Sequence, residues 1–182
     1  MMVDVNVCRE SDAVQTLLAL CEKYGGGDVV LNSDERLTAL GIPAALEAKY
    51  TCHTWSPETA QDNISFSEKA NLGVVYAEYG LAETGGIVLF STSSPRSSTF
   101  SVSAPLDPDE PEKSIVVVRK SQVLPRVAQV AKVLHDKAQQ GERMPSCINI
   151  ISGPSSTADI ELIKVIGVHG PVAKIYLVID DL

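Results

Sequence analysis

Three short segments concentrate the side chains that could meet a ligand or move a proton. They are Ser152-Gly-Pro-Ser-Ser-Thr-Ala-Asp-Ile-Glu161, Gly167-Val-His-Gly-Pro171 and Ala82-Glu-Thr-Gly-Gly86. In the first, Ser152, Gly153, Ser155, Ser156 and Thr157 follow an apolar run, Cys147 to Ile151, and precede a segment that reads as a helix from Thr157 to Ile166. Hydroxyls gathered at a helix start, with its outward N–H groups, suit a small carboxylate or a phosphate. The plainer reading stands beside it: Ser156 caps the helix and Asp159 completes a capping box, worth about 1 kcal/mol and silent on function. The hydroxyls are more numerous than one cap requires.

His169 sits between turn residues, with Gly170 and Pro171 after it, and an imidazole can change charge near neutral pH. A packed or hydrogen-bonded histidine explains it equally simply. Glu83, Thr84 and Gly85 enter a strand through a tight turn, where the backbone can approach a ligand closely or the carboxylate can close the turn. Arg96 could clamp an anion bidentately or serve as a solvated loop residue. Ser155, His169 and Asp159 can be assembled on paper into a triad, but no GxSxG elbow accompanies them and the triad is rejected.

Other signatures are missing. Gly25-Gly26-Gly27 precedes a strand and lacks a following Lys-Ser/Thr, so helix termination accounts for it. No GxGxxG follows a strand. Cys8, Cys21, Cys52 and Cys147 stand far apart, without the local pairs typical of zinc or iron–sulfur ligation. Mostly buried, reduced thiols and no metal are expected, and no redox cofactor of the chain's own.

The elements that must position these segments alternate. Ser11 reads as the cap of a helix carrying Val14, Leu17, Leu18 and Cys21; Asp28 to Leu31 reads as a buried strand; Ser33 reads as the cap of the next helix. Strands are expected near Tyr50 to Trp55 and over Leu72–Tyr76, Gly86–Phe90, Ser114–Val118, Cys147–Ile151 and Ala173–Ile179. Ser56-Pro57-Glu58 looks like a helix start. A long helix is expected from Gln122 to Gln140, because Val123, Val127, Val130 and Leu134 fall on one face. Apolar strands interleaved with helices predict an α/β fold: one three-layer, doubly wound domain with a mostly parallel sheet. The Ser- and Pro-rich stretch 91–113 is either a flap over a site or a solvated connection.

At 182 residues, with 45% apolar side chains and a net charge of −8, the chain suits one acidic globular domain. No basic face is concentrated enough for nucleic acid. No apolar run approaches the roughly 20 residues of a membrane helix, and the N-terminus lacks a signal-peptide pattern. A cytoplasmic protein without membrane insertion is expected.

The segments Ser152 to Glu161, Gly167 to Pro171 and Leu81-Ala-Glu-Thr-Gly85 resemble signature segments of the LUD-domain family, in its lactate utilization protein C group. The similarity extends from the Asp28 to Leu31 strand and the Arg36-Leu-Thr-Ala-Leu-Gly41 segment to the C-terminus. Many relatives carry Arg at the position of Ser156, and a longer N-terminal helical region. The resemblance implies a fold like that of the sugar-phosphate isomerase and CoA-transferase group. It further implies a non-redox role in oxidising L-lactate to pyruvate, beside partner subunits that carry iron–sulfur centres. Two alternatives remain: a stand-alone acyl-transfer or isomerase-type enzyme using Glu83 as nucleophile or base, and an interaction module whose motifs hold loops in place.

Overall fold

The structure, a computed structural model, describes residues 3–56, 58, 60–91, 97–98, 113–153, 156–158, 164–166 and 171–182. From the N-terminus the chain forms β1 (Val3–Arg9), α1 (Ala13–Lys23), β2 (Val29–Leu31), β3 (Ser33–Asp34), α2 (Glu35–Ala39), α3 (Ile42–Glu47), β4 (Cys52–Thr54), α4 (Ala60–Ser67) and β5 (Leu72–Tyr76). It continues through β6 (Tyr79–Leu81), β7 (Gly86–Ser91), β8 (Ser97–Ser98), β9 (Lys113–Arg119), β10 (Val123–Leu124), α5 (Val127–Gln139), β11 (Cys147–Ser152), β12 (Ser156–Ala158), β13 (Lys164–Ile166) and β14 (Ala173–Asp180).

The central sheet runs β1-β14-β9-β5-β2-β4, and every adjacent pair in it is parallel. Parallel strands need crossovers, and the general rule is a right-handed one, because a twisted strand feeding the next connection packs back best that way. The steps β1 to β2 and β2 to β4 travel toward the β4 edge, which puts α1, α2 and α3 on one face. The steps from β4 to β5, β9 and β14 travel back, which puts their connections on the other. The two cores agree. Leu17, Leu20 and Cys21 of α1, Leu37 of α2 and Leu46 of α3 pack with Val29, Leu31, Val74, Ile115 and Leu177. On the opposite face Val30, Val75, Val116 and Tyr176 meet Phe66 of α4, Ala70, and Ile87 and Leu89 of β7. Burying each of these large side chains is worth roughly 1.5–3 kcal/mol.

The α/β, doubly wound, three-layer expectation therefore holds for the parallel sheet. The second outer layer is built differently: beside α4 it is a four-stranded sheet, β10-β6-β7-β11, rather than helices alone. β11 pairs antiparallel with β7 at its edge, and its Ile148 and Ile150 are exposed, so this apolar run is no buried parallel strand.

Local expectations change for identifiable reasons. Where a helix was expected from Thr157 to Ile166, the described residues at its two ends are strands: β12 and β13 pair antiparallel, Thr157 opposite Val165; β-branched Thr157, Val165 and Ile166 suit a pleat better than a helix. The helix expected from Gln122 begins only at Val127. Pro125 disfavours helical backbone at Leu124, and Val123 and Leu124 pair with β6 instead. Asp34, not Ser33, caps α2, its carboxylate accepting from the Arg36 N–H at 2.8 Å. Ser11 lies in a short 3-10 turn before α1 and makes no cap. Of the thiols, Cys21 is buried, Cys8 and Cys52 are half-buried and Cys147 is exposed.

Candidate functional site

Of the residues singled out from sequence, the fold gathers Thr84, Gly85 and Ser152. The β6–β7 hairpin turns through Gly85 at φ +61°, and Gly86 pairs with Ser152 of β11. Thr84 Oγ1 accepts from the Gly86 N–H at 3.2 Å, and the Tyr176 hydroxyl donates to the Gly85 carbonyl at 2.5 Å. A Cβ added at Gly86 would stand 2.7 Å from Ser152 Oγ and 2.9 Å from Thr84 Oγ1, so only glycine lets the two hydroxyls close over this point. Burial pushes the Tyr176 hydroxyl up to about 12. Gly153 follows, buried and at φ +72°.

Glu83 does not join them. It forms a 3.2 Å ion pair with Arg126, both side chains at least half exposed, while its N–H donates to the Pro125 carbonyl. The backbones of Ser156 and Thr157 lie in β12, which removes the helix start on which the capping box and the anion-site reading depended. Arg96, Ser155, Asp159, His169 and Gly170 lie outside the described residues, as does most of the 91–113 stretch. Of that stretch, Ser97 and Ser98 form β8, set opposite Asp34 and Ser33 of β3.

A second place was not found by reading the sequence. β2 sends its connection to one face of the sheet and its neighbour β5 sends its connection to the other. In open α/β sheets, the crevice beyond the carboxyl ends of such a pair is where ligands are met. Here Asn32 continues β2, and its side-chain oxygen accepts from the Tyr76 N–H. Just beyond, Arg36 is clamped by two carboxylates. Its Nε donates to Asp34 Oδ1 at 2.9 Å and one terminal nitrogen to Asp34 Oδ2 at 2.7 Å; the two terminal nitrogens also reach Glu78 at 2.9 and 2.6 Å. The guanidinium carbon lies 4.2 Å from the centre of the Tyr76 ring.

The clamp ties α2, on one face, to the chain leaving β5 for the other. Burial alone would lower the Arg36 pKa, but the bonds from Asp34 and then Glu78 outweigh it and raise it. Arg36 stays charged and committed to its partners. A cavity of about 290 Å³ opens beside it, walled by Asn32, Ser33, Asp34, Glu35, Thr38 and Thr54. That lining is rich in acceptors and carries two carboxylates, so it suits a ligand offering hydroxyl or amine donors rather than a bare anion. Arg119, at the end of β9, pairs with Glu10 at 2.7 Å on the same rim. The only local signal for this place was Arg36 itself, within a family-like segment; Glu78 is 42 residues away.

The likeness to known proteins extends over the sheet and both places. The LUD domain model matches residues 2–179. Uncharacterized protein YkgG of Escherichia coli is 51% identical over all of this chain and 75% of its own length. Lactate utilization protein C of Geobacillus kaustophilus is 39% identical, covering 87% of this chain and 65% of the relative. That of Bacillus licheniformis is 36% identical over 94% and 72%. The chain thus spans about two thirds to three quarters of these relatives. A solved DUF162 family protein from Deinococcus radiodurans is 16% identical and covers 94% of this chain and 99% of that one, with a TM-score of 0.42. Among the described residues, no helix is long and apolar enough to cross a membrane. With the family model matching residues 2–179, from β1 to β14, this chain belongs to the LUD domain family.

Proposed function

We propose that this protein serves lactate utilization as a non-redox subunit, acting with iron–sulfur partner proteins in the oxidation of L-lactate to pyruvate. The observation that carries the reading is family membership over nearly the whole chain, with relatives named lactate utilization protein C. The acceptor-rich crevice supports the non-redox part. A carboxylate the size of lactate would meet Asp34 and Glu35 there, while Arg36 is already held by two carboxylates. Substrate oxidation then belongs to the partners, and this chain supplies a folded surface and a crevice for a donor-bearing ligand or a partner side chain.

The test is co-expression of the tagged chain with the iron–sulfur proteins of a lactate-utilizing bacterium that carries this protein. A stoichiometric complex that survives gel filtration is expected, weakened by substitutions at the crevice rim such as Thr54→Arg. Elution of the chain free of both partners, at concentrations where they bind each other, would overturn the subunit reading.

A further inference from the structure

β1 is an edge strand, and it lacks the features by which edge strands avoid pairing. It is seven residues long, with no Pro, Gly or Lys, and among the described residues it pairs on one side alone, with β14. Its side chains alternate. Asp4, Asn6 and Cys8 turn toward α1, where Asp4 is held by Lys23 at 2.6 Å and Tyr24 at 2.8 Å. Val3, Val5 and Val7 turn the other way and are 40%, 60% and 61% exposed. Beside them runs an apolar groove of about 170 Å³, lined by Val118, Val123, Tyr176 and Val178, with Gly85 and Gly86 at its wall.

We infer that this edge binds a second copy of the same chain, β1 pairing antiparallel with its symmetry mate about a two-fold axis at Val5. The side-chain pattern selects this occupant and this register. With Val5 opposite Val5, Val3 faces Val7 and all three valines of each copy are paired, while the one carboxylate, Asp4, faces Asn6 of the other copy. A shift of the axis to Asp4 sets carboxylate against carboxylate, which is unfavourable directly across a ladder. A shift to Asn6 leaves Val3 of each copy without a valine opposite.

The axis stands perpendicular to the sheet, so both grooves lie on the same side and flank the valine ladder, making one continuous apolar strip. A two-strand join alone is small for a stable dimer, which buries roughly 1,200–2,000 Å². The groove wall, with Val123 38% exposed, extends the apolar surface beyond the ladder.

Sedimentation velocity at tens of micromolar, with a disulfide trap, tests this. The parent protein is expected to sediment as a dimer. Val5→Asp sets like charges across the axis and should raise the dissociation constant at least about tenfold, with an unchanged circular dichroism spectrum because the side chain is solvent-facing in the single chain. In a Cys147→Ser background, Val5→Cys should cross-link to itself under mild oxidation, whereas Val7→Cys, facing Val3, should not. A parent protein that stays monomeric overturns the inference, as does a dimer that Val5→Asp leaves intact or one that cross-links through Val7→Cys instead. Capture of β1 by a different protein in place of a second copy would show as a monomer in this experiment and counts against it.

Discussion

Replacing Arg36 by Met should expose how the two departures of the chain from the sheet are held together. The substitution keeps the aliphatic stem and removes a guanidinium that bridges Asp34, whose side chain is 4% exposed, and Glu78, at 24%. Removing one partner of a buried pair costs about 3–5 kcal/mol because the other charge is left uncompensated. Arg36 is itself one third exposed, and exposed pairs are worth about 0–1 kcal/mol, so the electrostatic loss belongs near 2 kcal/mol. The stacking on Tyr76 adds about 0.5–1 kcal/mol. A total near 3 kcal/mol is expected. For a urea slope of about 2–3 kcal/mol per molar, the unfolding midpoint falls by about 1 M. Arg36→Lys keeps the charge but not the planar fork, and should lose about half as much. In a double-mutant cycle with Glu78→Gln, the coupling should reach about 1 kcal/mol. A loss below about 0.5 kcal/mol in Arg36→Met, with the same slope, would refute the clamp as a structural tie.

Three further outcomes follow from the hairpin tip and the thiols. The Tyr176 pKa is raised from 10 to about 12 by burial, so its contribution is complete below pH 10 and is lost as pH rises from 10 through 12. Tyr176→Phe should flatten the stability curve in that window, and below pH 10 should cost about 1 kcal/mol for the lost bond to the Gly85 carbonyl. Gly86→Ala should destabilise by about 1–3 kcal/mol through overpacking, and Ser152→Ala in the same chain should recover part of it, since Ser152 Oγ is the nearest obstacle. Thiol titration should find Cys147 reacting first and Cys21 only on unfolding, because Cys21 is buried and its thiol is pushed up to about 12.

What sequence reading recovers here follows burial. The strands at Leu72–Tyr76 and Ala173–Asp180 are nearly continuous apolar runs because both their faces are covered, and such runs stand out. β1 does not, since Val3, Val5 and Val7 alternate with Asp4, Asn6 and Cys8, and none of the described residues buries the valine face. At Thr157–Ile166, capping residues resemble a helix start, while the pairing that competes with it is set between residues such as Thr157 and Val165 and leaves no short-range mark. The candidate site divides in the same way. Thr84, Gly85 and Ser152 carry local turn chemistry and were legible one by one, though only the pairing of Gly86 with Ser152 shows that they meet. The crevice was not legible, because it is created by the order of strands in space. Neither Asn32 nor Glu78 differs in type from many solvated residues until β2 and β5 become neighbours with connections on opposite faces.

On the proposed reading, this chain contributes to lactate oxidation without carrying electrons itself. The most direct measurement is L-lactate-dependent dye reduction by purified iron–sulfur partner proteins, with and without this chain, and by the chain alone. No turnover by the chain alone is expected, and a rate with the partners that rises to saturation as the chain reaches equimolar amounts. A rate with the partners that is indifferent to the chain, or turnover by the chain alone, would contradict it.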